Sequence, residues 1–147
     1  MKPLLIISTL ATLLVACGQN DAASGAGTST TNANALADTA NYTSIQWLDS
    51  TYQDLGKVKK GQVVEIAWRF KNTGNKPLVI QSVRPGCGCT VADKPEAPLA
   101  PGAEGTIKGK FDSNNQSAGE HRKVISVDAN TSGSAYHQLN FRVEVME

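Results

Sequence analysis

Two cysteines separated by a single glycine, Cys87-Gly88-Cys89, are the side chains in this 147-residue chain best placed to do chemistry. Three chemistries are open to the pair. As free thiols they are small, apolar and inert. In the oxidising space of a cell envelope they can close a disulfide with one another. As thiolates, two soft ligands two positions apart can hold Cu(I), with a histidine to complete the set. The spacing weighs on each of these. A Cys-x-Cys ring is so small that loop-closure entropy credits it with only about 1.5 kcal/mol, so stapling the fold is a poor motive for it. Zn(II) asks for four ligands and two are in view.

Other reactive constellations are missing from the sequence. His121 opens a strand-like segment beside Gly119-Glu120, and His137 runs in phase with Leu139 and Phe141. Both read as strand residues, His121 at the surface and His137 partly buried. There is no nucleophile elbow, no phosphate-cradling glycine loop and no helical His-Glu pair, so no catalytic residue and no enzyme activity are expected. Charge excludes more than it suggests. The chain carries 14 Lys and Arg against 13 Asp and Glu, for a net charge of +1. The basic residues are interspersed along the strands and form no stripe of the kind nucleic-acid binding requires.

The first sixteen residues read as an address. Lys2 supplies a short positive region, and Leu4 to Ala16 is an apolar run. That run is shorter than the roughly 20 residues needed to span a bilayer, and it suits a signal peptide. It ends in Leu14-Val15-Ala16-Cys17, which resembles a bacterial lipobox, so residues 1–16 are expected to be removed and Cys17 to carry a covalent lipid. No other cofactor is expected, apart from the Cu(I) alternative. With Cys17 lipidated, Cys87 and Cys89 have only each other to pair with in an oxidising compartment.

Residues 17–41 are nearly all Ala, Gly, Ser, Thr, Asn and Gln, with Leu36 the only large apolar side chain. Such a composition cannot bury enough surface to offset its chain entropy, and the segment reads as a flexible linker. As a coil it would reach roughly 25–30 Å. Asp38-Thr39-Ala40 resembles an O-glycosylation acceptor triplet. Asn41-Tyr42-Thr43 and Asn130-Thr131-Ser132 fit the N-x-Ser/Thr pattern, whose machinery a bacterial lipoprotein is not expected to meet.

Residues 42–147 have the size of one domain, and their periodicity is two almost throughout. Val64, Ile66, Trp68 and Phe70 alternate with Glu65, Ala67, Arg69 and Lys71. Leu139, Phe141, Val143 and Val145 alternate with Gln138, Asn140, Arg142 and Glu144 in the same way. Ile107 to Phe111, Lys123 to Ala129, Ser44 to Leu48, Gln53 to Val58 and a segment after Pro77 supply further strands. Turn signals fall at Lys60-Gly61, Asn72-Gly74, Pro101-Gly102, Asn114-Gly119 and Asn130-Gly133. Arg84-Pro85-Gly86 reads as a strand break that presents the cysteines at a loop tip. The expected fold is all-β, an antiparallel immunoglobulin-like β-sandwich of about seven strands.

The motif Phe-x-Asn-Thr-Gly-x-x-Pro-Leu-x-Ile from Phe70 to Ile80, followed by Cys87-Gly88-Cys89-Thr90 and by Pro101-Gly102 before a strand, resembles the bacterial domain-of-unknown-function family numbered 1573. The resemblance covers roughly Ile45 to Val145 and departs at Gly86, where the family more often has serine. It implies an immunoglobulin-like module similar to those of the major-sperm-protein and Hydin kind, and no particular activity. The expected protein is a lipid-anchored lipoprotein of the cell envelope, at the outer membrane, whose domain binds or scaffolds another envelope protein. The competing expectation is thiol-redox or copper handling through Cys87 and Cys89.

Overall fold

The computed structural model describes residues 39–147; the expected signal peptide, Cys17 and most of the linker lie outside the described residues. After a short 3-10 helix, Thr39–Asn41, come eight strands: β1 Ile45–Trp47, β2 Tyr52–Lys59, β3 Val63–Asn72, β4 Ile80–Pro85, β5 Thr90–Asp93, β6 Glu104–Asp112, β7 Gly119–Ala129 and β8 Tyr136–Met146. They form two four-stranded sheets, β1-β3-β6-β5 and β2-β8-β7-β4, packed as an immunoglobulin-like sandwich. Among the described residues, no helix is long and apolar enough to cross a membrane.

The period-two pattern sorts the side chains. On β3, Ile66, Trp68 and Phe70 are buried while Glu65, Ala67 and Arg69 face solvent. On β8, Leu139, Phe141, Val143 and Val145 point inward. Trp68 and Phe111 reach across the core to Phe141, with ring centroids 6.4 and 5.7 Å apart. Gly109 on β6 leaves room for this layer, because a Cβ there would lie 3.3 Å from Trp68 Cζ3.

Three details depart from the sequence reading. Thr90–Asp93 forms an eighth strand, paired with β6 from Thr90↔Phe111 to Asp93↔Lys108. Four residues with Asp at one end carry too little pattern to be read as a strand. Secondly, β2 lies parallel to β8 (Tyr52↔Asn140 to Lys59↔Met146), so one pairing is not antiparallel. Thirdly, β4 does not break at Arg84-Pro85. Pro85 still aligns with Ile125, and the Gly86 N–H donates to Val124 O at 2.9 Å. Proline is tolerated because β4 ends its sheet, where a missing outward N–H costs nothing.

The Asn72-Gly74 turn also works differently from its appearance. Gly74 has an ordinary φ. Its missing side chain is required by a close approach, since a Cβ would collide with Thr43 Oγ1 and lie 2.6 Å from Ser44 N. Asn72 is fully buried, not a surface turn residue. Its Oδ1 accepts from Thr43 Oγ1 at 2.8 Å and Gly74 N at 3.1 Å, and its Nδ2 donates to Lys76 O at 2.7 Å and Leu99 O at 3.0 Å. All four of its amide positions are filled. Asn130, also buried, does the same work for the other sheet. Its Oδ1 accepts from Val79 N at 2.7 Å, while its Nδ2 donates to Asn41 O at 2.8 Å and Pro77 O at 3.0 Å. The two asparagines fix the point where the chain joins the sandwich.

Candidate functional site

The cysteine loop links β4, at the end of one sheet, to β5, at the end of the other. It sits well away from Asn72 along the strands: β5 begins at Thr90 opposite Phe111, which pairs in turn with Val64 near the start of β3. The rise of a strand makes that separation roughly 25 Å. In the structure Cys87 and Cys89 are joined, with Cα atoms 5.3 Å apart. Both are half-buried and Gly88 between them is exposed. Gly88 has no unusual φ, and a Cβ there would meet nothing within 4 Å.

Backbone bonds hold the loop on all sides. Gly86 N donates to Val124 O at 2.9 Å, Thr90 N to Cys87 O at 3.3 Å and Asp112 N to Cys89 O at 2.9 Å. Beneath the pair, buried Thr90 places Oγ1 at 3.6 Å from Cys87 Sγ and 3.8 Å from Cys89 Sγ. Beside it lies a cleft of about 190 Å³ lined by Gly88, Cys89, Asp112, Asn115 and Gln116. The Lys123 ammonium donates to Gln116 Oε1 at 3.3 Å behind this cleft. The Asn114-Gly119 turn, legible only as a turn, thus supplies one wall.

The histidines stand apart from the cysteines. His137 faces inward toward Trp47 of β1, ring centroids 6.0 Å apart, and its Nε2 lies 2.8 Å from Thr131 Oγ1. Because that hydroxyl donates to Ser134 O, the histidine Nε2–H is the donor of the pair. Burial pushes its pKa down from the usual 6.5. His121 Nε2 bonds Ser117 O at 2.7 Å at the start of β7. Among the described residues, no group of three or more His, Cys, Asp or Glu side chains converges as a metal site.

A second feature is the outer face of the β2-β8-β7-β4 sheet. Tyr52 and Tyr136 are 47% and 46% exposed there. Arg122 and Arg142 stand directly opposite each other on β7 and β8. Glu120 lies between them and accepts from Arg142 Nε at 2.6 Å and Arg122 Nε at 2.9 Å. Those two bonds, Arg142 first, hold the Glu120 carboxyl below the usual carboxylate range. Arg142 also reaches Asp54 at 3.1 Å, and Arg84 reaches Asp128 at 2.6 Å. A groove of about 240 Å³ lies among Tyr52, Arg122, Val124 and Asn140.

These features define an immunoglobulin-like sandwich with a cystine tip and a tyrosine-bearing outer sheet. The chain belongs to the family described as "Protein of unknown function (DUF1573)", whose profile matches residues 45–145. Among solved structures it is similar to a protein of unknown function from Porphyromonas gingivalis W83, with a TM-score of 0.64 and 20% identity over 73% of this chain and 49% of that one. It is also similar to the VesB protease of Vibrio cholerae (TM-score 0.51, 13% identity, 74% of this chain and 32% of that one). The secreted serine protease VesC from Vibrio cholerae gives a TM-score of 0.50 and 15% identity over 76% of this chain and 25% of that one. The chain therefore spans about half of the first of these proteins and a third or less of the other two. At such identities the likeness is one of fold. No curated protein matches the chain.

Proposed function

We propose that the chain is a lipid-anchored protein of the bacterial cell envelope, tethered through Cys17, whose sandwich binds another envelope protein without catalysing a reaction on it. The observation that carries the binding role is the outer face of the β2-β8-β7-β4 sheet. Tyr52 and Tyr136 stand half-exposed on it, together with Arg84, Arg122 and Arg142. Tyrosine and arginine are the residues that concentrate at protein interfaces. The arginines on this face are already matched by Asp54, Glu120 and Asp128. A partner therefore gains from aromatic and apolar contact around Tyr52 and Val124, and binding depends little on salt.

The test is site-specific photocrosslinking in intact membranes. A photoreactive residue in place of Tyr52 should give one discrete adduct even when irradiated in about 0.5 M salt, where the Debye length falls from about 8 Å to roughly 4 Å. The same residue in place of Lys108, on the outer face of the other sheet, should give none. Equal labelling from both positions, or none from Tyr52, would refute this face as the binding surface. The anchor is tested separately. Cys17→Ser should leave the precursor unprocessed, and a variant still processed and membrane-bound with unchanged mobility would refute the lipid.

A further inference from the structure

We infer that Cys87–Cys89 is an exchangeable disulfide that takes electrons from a dithiol, and that Cys89 is the sulfur attacked. Four observations meet at this loop. The ring spans three residues, so its opening releases almost no chain entropy and the domain has little to lose when the bond breaks. The pair sits at a half-buried tip, within reach of another molecule's thiolate. Of the two cysteines, Cys89 lines the adjoining cleft, with Gly88, Asp112, Asn115 and Gln116. A thiolate seated there meets the Cys89 sulfur. Finally, buried Thr90 Oγ1 lies 3.6 Å from the Cys87 sulfur and 3.8 Å from the Cys89 sulfur, so with attack on Cys89 from the cleft its hydroxyl is in place to donate to the thiolate formed on Cys87.

The step balances as ordinary thiol–disulfide exchange. One thiolate of the dithiol attacks Cys89 Sγ, a new S–S bond forms, and the Cys87–Cys89 bond breaks. Its electron pair leaves on Cys87 Sγ, which accepts the Thr90 hydroxyl's hydrogen bond and then a proton from water. The second thiol of the donor attacks its own sulfur in the mixed disulfide and releases Cys89 as a thiolate. Overall the donor dithiol becomes a disulfide and the chain gains two electrons and two protons as two thiols. The loop survives this change, because the bonds Gly86 N to Val124 O, Thr90 N to Cys87 O and Asp112 N to Cys89 O do not involve sulfur. The activity is independent of the proposed binding face, which lies on the outer side of the β2-β8-β7-β4 sheet.

The experiment uses the full mature chain in detergent with two probes. Dithiothreitol reads the overall exchange: acid quenching, alkylation and intact mass should show two alkyl groups added while the tryptophan fluorescence stays native. Glutathione, a monothiol, traps the intermediate, and fragmentation should place it on Cys89. Thr90→Val should slow reduction roughly tenfold with native fluorescence retained, and Thr90→Ser should restore the rate. Alkylation only after the domain unfolds overturns the activity. Glutathione on Cys87, or equally on both cysteines, overturns the direction of attack, and an unchanged rate in a folded Thr90→Val overturns the role of the hydroxyl.

Discussion

Thr43 Oγ1 donates to Asn72 Oδ1 across 2.8 Å inside the domain, joining residues 29 positions apart. It is one of four bonds made by the Asn72 amide, and both ends of the pair are buried. Asn72→Ala strands the Lys76 carbonyl, the Gly74 N–H and the Thr43 hydroxyl, while Leu99 O keeps its bond from Leu78 N at 2.8 Å, and should cost about 3–4 kcal/mol. Thr43→Val removes one donor and should cost about 1–2 kcal/mol. Urea unfolding followed by tryptophan fluorescence measures both. Equal losses would mean that Asn72 contributes nothing beyond its bond to Thr43.

Trp68 is fully buried, yet its Nε1 has no hydrogen-bond partner. Its contribution is therefore volume, not polarity. Trp68→Ala should cost about 3–5 kcal/mol, and Trp68→Phe, which also removes the unpaired N–H, only about 1–2 kcal/mol. Arg69, exposed on the opposite phase, should shift the unfolding midpoint far less when replaced by Ala, although it forks onto Asp49 at 2.8 and 3.1 Å. A Trp68→Phe protein as unstable as Trp68→Ala would show that the indole N–H has a role that the geometry does not reveal.

His137 gives the stability a pH dependence of known sign. Burial lowers its folded pKa below 6.5, so the unfolded chain binds the proton more readily. The contribution is complete above pH 6.5 and is lost as pH falls through the folded value. His137→Asn should flatten the unfolding midpoint between about pH 7 and 5, relative to the parent. An unchanged slope would mean that the imidazole titrates as it does in the open chain. The Glu120 carboxyl, held low by Arg142 and Arg122, acts further down: its contribution is present above 4.5 and lost as pH falls through its lowered value.

Replacing both cysteines tests whether the cystine is a staple. Cys87→Ser with Cys89→Ser should lower stability by about 1.5 kcal/mol or less, because a three-residue ring constrains the open chain so little. Calorimetry of the oxidised parent and the double variant decides the matter. A loss of several kcal/mol would make the bond structural.

The strands were legible wherever one face is buried and the other wet. Ile66, Trp68 and Phe70 declare β3, and Leu139, Phe141 and Val143 declare β8. β5 was hidden because Thr90–Asp93 is short and ends in Asp. The parallel pairing of β2 with β8 was hidden because alternation reports a strand's faces and says nothing of its neighbour's direction. The asparagines misled for a chemical reason. Asn72 beside Gly74 is the composition of an exposed turn, and the sequence does not say that Thr43, Lys76 and Leu99 converge to fill the amide. At the cysteine loop the two sulfurs were visible in the sequence, but the cleft was not. Its walls, Asp112, Asn115 and Gln116, come from the end of β6 and the turn after it, 23 or more positions further along.

The place where the chain joins the sandwich has a mechanical consequence. Asn41 O and Thr43 N are bonded to Asn130, Ser132 N to Thr43 O, and Thr73 N to Ser44 O, so this short run is tied to both sheets at once. From there β1 runs antiparallel to β3, with its bonds lying across the strand direction. Tension drawn through residues ahead of Asn41 and resisted at Met146 on β8 pulls along those strands. It loads the bonds together in shear instead of opening them one after another. A domain hung from its first strand in this way would resist pulling better than its modest size suggests, and the cystine loop, beyond the loaded run on the β4–β5 side, would stay slack while the clamp held.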